Sequence, residues 1–137
     1  MKLCMIGTGY VGLVSGACFS DLGNSVICVD KDTKKIDNLK KGIMPIYEPG
    51  LDELVKKNHR SGKLKFTSNL KESVLKSDVI FICVGTPTKK NSNAADLTQI
   101  YKLAKEISKY AKKFKIIITK STVPVTTGDK IEKIISK

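Results

Sequence analysis

The sequence predicts an α/β fold built on a doubly wound parallel sheet, and three observations lead to this prediction. Short apolar runs alternate with longer segments whose apolar residues recur at helical spacing. The run from Asp78 to Val84 is apolar at almost every position, as expected of a strand buried on both faces of a parallel sheet. Turns with Gly and Pro separate the segments, and the alternation of strands and helices favours right-handed crossovers.

The elements are expected in a regular order within one domain, residues 1–137. Strands are predicted at Lys2–Ile6, Ser25–Val29, Leu64–Thr67, Asp78–Val84 and Lys115–Thr119, the last of them buried. Helices are predicted at Tyr10–Leu22, Thr33–Lys41, Leu51–His59, Asn69–Lys76, from a cap at Asp96 to Lys112, and around Ile131, Ile134 and Ile135. The predicted strand order is 3-2-1-4-5, truncated before an expected sixth strand.

The first strand runs into the pattern G-x-G-x-x-G, at Gly7, Gly9 and Gly12. In such a turn the first glycine allows the tight bend and the second lets the backbone approach a pyrophosphate. The third lets the following helix pack on the sheet. The helix that begins near Tyr10 directs free N–H groups and its positive dipole end at the pyrophosphate. These features predict a Rossmann-type dinucleotide site.

An acidic residue closes the second strand and indicates which dinucleotide binds. Asp30 follows Gly12 by 18 residues, where a carboxylate accepts hydrogen bonds from the adenosine ribose hydroxyls. A carboxylate at this position repels the 2′-phosphate of NADP. The neighbouring lysines Lys31, Lys34 and Lys35 could accept that phosphate, but the fingerprint favours NAD.

Two further loops are expected at the same edge of the sheet as the glycine turn. Ligands bind outside the carboxyl ends of parallel strands, at the point where the strand order reverses. The fourth and fifth strands end there in the loops Gly85–Thr88 and Lys120–Pro124. The hydroxyls of Thr86 and Thr122 are therefore candidates to bind a ribose, phosphate or carboxamide of the cofactor. Their alternative role is turn and cap chemistry.

Length and composition limit the class of protein. The chain has 137 residues, of which 41% are hydrophobic and 28% charged, as in a globular domain. No apolar run approaches the roughly 18 residues of a membrane span. The first strand begins directly after Met1, which leaves no room for a signal or transit peptide and predicts a cytoplasmic protein.

Neither the cysteines nor the single histidine forms a metal-binding pattern. The C-x-x-C spacing of zinc and redox sites is absent, so buried free thiols are expected at Cys4, Cys18, Cys28 and Cys83. His59 stands alone in a polar stretch and is expected on the surface. No metal site is predicted.

The net charge of +12 raises the question of nucleic-acid binding. Every basic residue except Arg60 is a lysine, and the lysines are scattered along the chain. Base recognition and bidentate phosphate contacts favour arginine, and stacking platforms need aromatic residues among the basic ones. The composition therefore predicts a solvated lysine surface and no nucleic-acid partner.

Five motifs together resemble one enzyme family. They are G-T-G-Y-V-G-L at Gly7–Leu13, V-D at Val29–Asp30, P-I-Y-E-P-G-L at Pro45–Leu51, V-G-T-P at Val84–Pro87 and K-S-T-V-P at Lys120–Pro124. In order and approximate spacing, over the whole chain, they resemble the amino-terminal NAD-binding domain of the UDP-glucose/GDP-mannose dehydrogenase family. P-I-Y-E-P-G-L is the most discriminating motif, because generic NAD domains lack it.

The resemblance implies a reaction and a set of site residues. The reaction is oxidation of the sugar C6 alcohol of UDP-glucose to a carboxylate by two hydride transfers to NAD, with GDP-mannose or a UDP-N-acetylhexosamine as alternative substrates. Thr122 is the candidate catalytic residue, whose hydroxyl would position a water. Glu48 is expected to serve the architecture of its loop. The implied cofactor-binding residues are Gly7, Gly9, Tyr10, Val11, Gly12, Asp30, Lys35, Thr86 and Thr122.

The chain departs from the family pattern in two respects. The family usually continues V-P-V-G-T, whereas here Val125 is followed by Thr126, Thr127 and Gly128, so the last helix is expected to start differently. The family's catalytic cysteine and its partners lie in later domains, as does the helical domain that forms the homodimer. The chain alone is therefore expected to bind NAD and oxidise nothing. The alternative is a stand-alone nucleotide-binding or regulatory module.

Overall fold

Within residues 1–136, which the computed structural model describes, five strands alternate with six helices. The strands are β1 (Lys2–Ile6), β2 (Ser25–Val29), β3 (Leu64–Thr67), β4 (Val79–Ile82) and β5 (Ile116–Thr119). The helices are α1 (Tyr10–Asp21), α2 (Thr33–Lys40), α3 (Leu51–Arg60), α4 (Leu70–Lys76), α5 (Thr98–Tyr110) and α6 (Thr127–Ile135). All paired strands are parallel, and their order is β3-β2-β1-β4-β5, which confirms the predicted topology.

The sheet reverses its winding direction between β1 and β4, which are neighbours in space but not in sequence. In the β1–β4 pairing, Leu3 lies opposite Val79 and Ile6 opposite Ile82. From β1 the chain winds outward through β2 to β3, and then returns to the other side of β1. The loops that leave β1 and β4 therefore diverge to opposite faces and leave a crevice between them.

Each face of the sheet packs against its own set of helices. Leu3 and Met5 of β1 belong to a core shared with α1, α2 and α3. Cys4 and Ile6 belong to the opposite core, which is shared with α4, α5 and α6. This division follows from the alternation of side chains along a strand. Because both faces are covered, the central strands are apolar at nearly every position, as predicted.

Strand β5 is less buried than the sequence predicts. Its residues range from half-buried to exposed, and Ile116 is 49% exposed. Within residues 1–136, β5 pairs with β4 on one side, and its other edge has no neighbouring strand. An apolar run alone does not distinguish such an edge strand from a central one, so the prediction of a buried fifth strand is wrong.

Several predicted element boundaries differ from the structure, most of all those of β4 and α5. Strand β4 is shorter than the predicted strand, since the exposed Asp78 precedes it and Cys83 and Val84 follow its end at Ile82. Helix α5 begins at Thr98, with Leu97 at its N-cap position. Asp96 still supports this helix start, since its Oδ1 accepts a hydrogen bond of 2.9 Å from the Thr98 amide.

The cysteines divide into three buried thiols and one exposed thiol. Cys4, Cys28 and Cys83 are buried, as predicted. Burial raises the pKa of Cys4 to about 12 and that of Cys83 to about 11, and raises the pKa of Cys28 further still. Cys18 is exposed, contrary to prediction, because the buried stripe of α1 runs through Gly12, Leu13, Gly16, Ala17 and Ser20.

His59 packs within the fold and lies only partly at the surface. Its Nδ1 lies 2.9 Å from the Leu64 carbonyl oxygen, and its ring centroid lies 5.4 Å from that of Phe66. Among residues 1–136, no group of three or more His, Cys, Asp or Glu side chains could hold a metal ion. No helix in this range is both long and apolar enough to cross a membrane.

Helix α6 begins at a residue with a left-handed backbone. Thr126 is its N-cap residue and has φ +74°, and its side chain makes no capping hydrogen bond. For a β-branched residue this conformation costs about 1–2 kcal/mol. Aligned on Val123 and Pro124, the pattern V-P-V-G-T has glycine at this position, and glycine adopts such a φ without strain.

Replacing Thr126 by glycine is expected to stabilise the chain. The relief of backbone strain exceeds the added entropy of the unfolded chain, so Thr126→Gly should raise the free energy of unfolding by about 0.5–1 kcal/mol. Urea unfolding followed by circular dichroism measures this change. Val125→Gly is the control, because Val125 is exposed and has no positive φ, and it should lose stability. A destabilised Thr126→Gly variant would contradict the strain argument.

Candidate functional site

The turn after β1 brings the backbones of three segments so close that no side chain fits between them. Gly7 has φ +105°, and a Cβ on it would lie 2.7 Å from the carbonyl oxygen of Cys83. A Cβ on Gly12 would lie 1.8 Å from the carbonyl oxygen of Gly7. The fold itself therefore requires glycine at both positions.

Gly9 differs from these two glycines, because no contact among the described residues excludes a side chain at this position. Its φ is −77°, and a Cβ built on it would meet no atom within 4 Å. Gly9 is the N-cap residue of α1, with no side-chain capping bond and no acidic residue in the first turn. The first N–H groups of α1, including those of Tyr10 and Val11, therefore face open space. The positive end of the helix dipole lies at the same place.

The carboxylate of Asp30 lies beside this helix end and is held by four hydrogen bonds. Its Oδ2 accepts bonds from the Thr8 amide (2.9 Å), the Thr8 hydroxyl (2.7 Å) and the ammonium group of Lys35 (3.3 Å). Its Oδ1 accepts one bond of 3.0 Å from the Asp32 amide. Two of the predicted residues, Asp30 and Lys35, are therefore in contact, and both lie next to the glycine turn.

These contacts keep Asp30 ionised. Partial burial opposes the charge, but the hydrogen bonds from Thr8 and Asp32 and the positive charge of Lys35 outweigh it and lower the pKa of the Asp30 carboxyl. The side chain of Asp30 is only 12% exposed, so the surrounding donors are poorly screened by water. A fixed negative charge therefore stands at the end of β2.

Thr8 is the main residue of this site that sequence reasoning missed. It lies between the first two glycines of the fingerprint and is fully buried. The available signal was a hydroxyl residue two positions after the end of β1, where a side chain can reach the carboxyl end of the neighbouring β2. The dinucleotide fingerprint allows any residue there, so the pattern did not single it out.

The loops after β4 and β5 are joined at the other side of the crevice. The Thr86 hydroxyl donates a hydrogen bond of 3.0 Å to the carbonyl oxygen of Thr122. Ser121, which sequence reasoning did not single out, donates one of 2.7 Å to the carbonyl oxygen of Val84. Thr86 and Thr122 are therefore adjacent, as predicted. The Thr86 hydroxyl also stabilises the turn by this hydrogen bond, which is the alternative role named for it above. The Thr122 side chain is exposed.

The segment P-I-Y-E-P-G-L is joined to the start of α1 by a hydrogen bond. The hydroxyl of Tyr10 donates a hydrogen bond of 3.3 Å to the carbonyl oxygen of Tyr47. Residues of this segment and of the start of α3 line an open cleft of about 630 Å³. No residue of the glycine turn lines it, so the cleft is separate from the crevice that holds the other predicted residues.

Comparison with known proteins decides the family. The sequence profile described as the UDP-glucose/GDP-mannose dehydrogenase family, NAD binding domain, matches residues 1–137. The chain belongs to this family. The resemblance predicted from the motifs is confirmed, and so is NAD as the cofactor of this domain.

Individual family members show the extent of the similarity. The UDP-glucose 6-dehydrogenase of Rhizobium meliloti is 57% identical over 135 residues, which are 98% of this chain and 31% of that protein. The Bacillus subtilis UDP-glucose 6-dehydrogenase TuaD is 49% identical, over 99% of this chain and 29% of that protein. A ternary complex of GDP-mannose dehydrogenase from Pseudomonas aeruginosa has TM-score 0.92 at 39% identity, covering 100% of this chain and 33% of that one. The chain thus spans about a third of these relatives.

The glycines at 9 and 12 are expected to respond differently to alanine. Gly12→Ala forces a Cβ into the Gly7 backbone and should lower the free energy of unfolding by at least about 3 kcal/mol. Gly9→Ala meets open space and should stay within about 1 kcal/mol of the parent, the range of an N-cap change. Urea unfolding of both variants tests this contrast. Equal losses would contradict the distinction between a glycine packed against backbone and a glycine that faces open space.

The stabilising effect of Asp30 is expected to depend on pH. Because the folded pKa is lowered, Asp30 stabilises the chain fully above its unfolded pKa of about 3.9, and this stabilisation is lost as pH falls through the folded pKa. Asp30→Asn should therefore be less stable than the parent at pH 7, with a smaller difference near pH 3. Urea unfolding at both pH values measures it, with exposed Asp37→Asn as control. A difference independent of pH would contradict the assignment.

Proposed function

We propose that this chain binds NAD across the carboxyl ends of β1, β2 and β4, as the cofactor domain of a nucleotide-sugar 6-dehydrogenase. The observation that carries the proposal is the uncapped start of α1 beside the ionised Asp30. An anion-binding helix end and a hydroxyl-binding carboxylate match the two parts of an adenosine diphosphate group. NAD, when bound, supplies the hydride acceptor for alcohol oxidation.

The start of α1 binds the pyrophosphate in this proposal. The amides of Tyr10 and Val11 donate to the phosphate oxygens, and the helix dipole favours their negative charge. Gly9 leaves the approach open, because it has no side chain and no protein atom takes up the adjoining space. Gly7 and Gly12 support this end indirectly, by allowing α1 to start next to β4.

Asp30 and Lys35 hold the adenosine ribose in this proposal. The carboxylate accepts hydrogen bonds from the ribose hydroxyls, while the lysine is close enough to contact the same sugar. A phosphate on the 2′-oxygen would face the negative charge of Asp30 at short distance. The proposal therefore includes a preference for NAD over NADP.

Thr86 and Thr122 serve the nicotinamide side of the cofactor in this proposal. The Thr86 hydroxyl donates to the backbone of Thr122 and keeps its acceptor capacity for a cofactor donor. Thr122 is exposed, and its hydroxyl is the candidate to position a water near the reacting carbon. It is the catalytic residue proposed for this chain.

The substrate proposed for the longer protein is UDP-glucose, oxidised at C6 to a carboxylate with two NAD. This choice follows the UDP-glucose 6-dehydrogenases at 57% and 49% identity, while the GDP-mannose dehydrogenase at 39% keeps another nucleotide sugar as the second candidate. We also infer that residues outside this chain are needed for turnover and that the longer protein is a cytoplasmic homodimer. No nucleic-acid partner is proposed.

Calorimetric titration with NAD tests the cofactor site. The parent chain should bind NAD more tightly than NADP, and Asp30→Ala should weaken NAD binding about 10- to 100-fold, the range for charged hydrogen bonds. Gly9→Ala should weaken it by about tenfold or more while the chain stays folded. Gly128→Ala is the matched control, since that glycine also meets open space but lies in α6.

Two results would contradict the proposal in different parts. Absence of NAD binding at millimolar concentration would exclude the cofactor site itself. Conversion of UDP-glucose with release of NADH by this chain alone would show that the catalytic groups are already present, and would exclude the inferred need for further domains. Absorbance at 340 nm follows that reaction directly.

A further inference from the structure

Thr8 combines two features that are unusual for a residue of a glycine turn. It is fully buried, although it lies between Gly7 and Gly9 at the edge of the crevice. Both of its polar donors, the amide and the hydroxyl, bond to a single atom, Asp30 Oδ2, at 2.9 and 2.7 Å. The side chain thus ties the turn after β1 to the end of β2, across the pair of strands at which the cofactor is proposed to bind.

The two oxygens of Asp30 are left with different capacities to accept further bonds. A carboxylate oxygen has about two lone-pair sites. Oδ2 already accepts three donors, from Thr8 twice and from Lys35. Oδ1 accepts one, from the Asp32 amide. The oxygen with remaining capacity is therefore Oδ1.

We propose that Thr8 is a positioning residue, which holds Oδ2 of Asp30 against the glycine turn so that Oδ1 accepts the hydrogen bond from the adenosine ribose. The inference rests on the proposed function, in which Asp30 binds that ribose. Thr8 itself contacts no part of the cofactor. It acts through the orientation of the carboxylate. Without its hydroxyl, Oδ2 of Asp30 keeps only the bonds from the Thr8 amide and from Lys35, so the orientation of the carboxylate is less firmly fixed.

The hydroxyl of Thr8 is the part of this arrangement that a substitution can remove selectively. Valine has nearly the same shape as threonine, so Thr8→Val deletes the 2.7 Å bond while keeping the packing and the backbone amide. Serine keeps the hydroxyl and loses a methyl group. A merely structural role would make Thr8→Ser the more harmful change through the cavity it leaves, whereas a positioning role makes Thr8→Val the more harmful one for NAD affinity.

Calorimetric NAD titrations of Thr8→Val, Thr8→Ser and Asp30→Ala, with the Thr8→Val, Asp30→Ala double variant, test the proposal. Thr8→Val should weaken NAD binding about three- to tenfold, the worth of one hydrogen bond, while Thr8→Ser should stay within about twofold of the parent. In the Asp30→Ala background, Thr8→Val should cause no further loss of NAD affinity, because Thr8 affects the cofactor only through the Asp30 carboxylate. Ser73→Ala is the control for removing a buried hydroxyl elsewhere.

The outcomes separate this inference from the function on which it rests. If Asp30→Ala binds NAD as tightly as the parent, the proposed contact of Asp30 with the ribose is wrong, and so is the positioning role of Thr8. If Asp30→Ala is impaired but Thr8→Val is not, only the role of Thr8 is overturned. The same holds if the Thr8→Val loss persists in the double variant. Should Thr8→Val not fold, Thr8→Ala replaces it under the same criteria.

Discussion

The contact of α1 with the sheet is the constraint on which the rest of the structure depends. At Gly12 the helix meets the backbone of the turn, and at Gly16 a Cβ would lie 2.7 Å from the thiol sulfur of Cys28. Two glycines four residues apart, on one face of a helix, allow this approach. Because α1 lies so deep, its uncapped start stands directly over the crevice between β1 and β4. The helix packing and the proposed pyrophosphate-binding end are thus one feature.

Much of the fold and part of the site follow from local sequence patterns. Strand β1, the glycine turn and α1 are encoded within about twenty consecutive residues, and the regular alternation of elements allows few topologies. Asp30 could be predicted because its distance from Gly12 is set by the length of one helix and one strand. Thr86 and Thr122 could be predicted because the carboxyl ends of parallel strands meet at one edge.

The other features of the fold and of the candidate site depend on which residues meet in three dimensions, and this cannot be predicted from one sequence. The paired donors of Thr8 become visible only when Asp30 is placed opposite them, 22 residues away. The bond from Ser121 to Val84 joins loops separated by 37 residues. Exposure of Ile116 and Cys18 has the same origin. Both residues belong to apolar stretches, and only the position of an edge, or of the solvent side of a helix, leaves them uncovered.

The uneven burial of the cysteines makes the α1 contact observable in solution. Thiol reagents attack the thiolate, so the exposed Cys18 is available in the native state, while burial suppresses ionisation of Cys4 and Cys28. Cys28 lies directly under Gly16, and a reagent reaches it only when the helix lifts from the sheet. Its labelling rate therefore reports the local opening of the element that forms the crevice, separately from global unfolding.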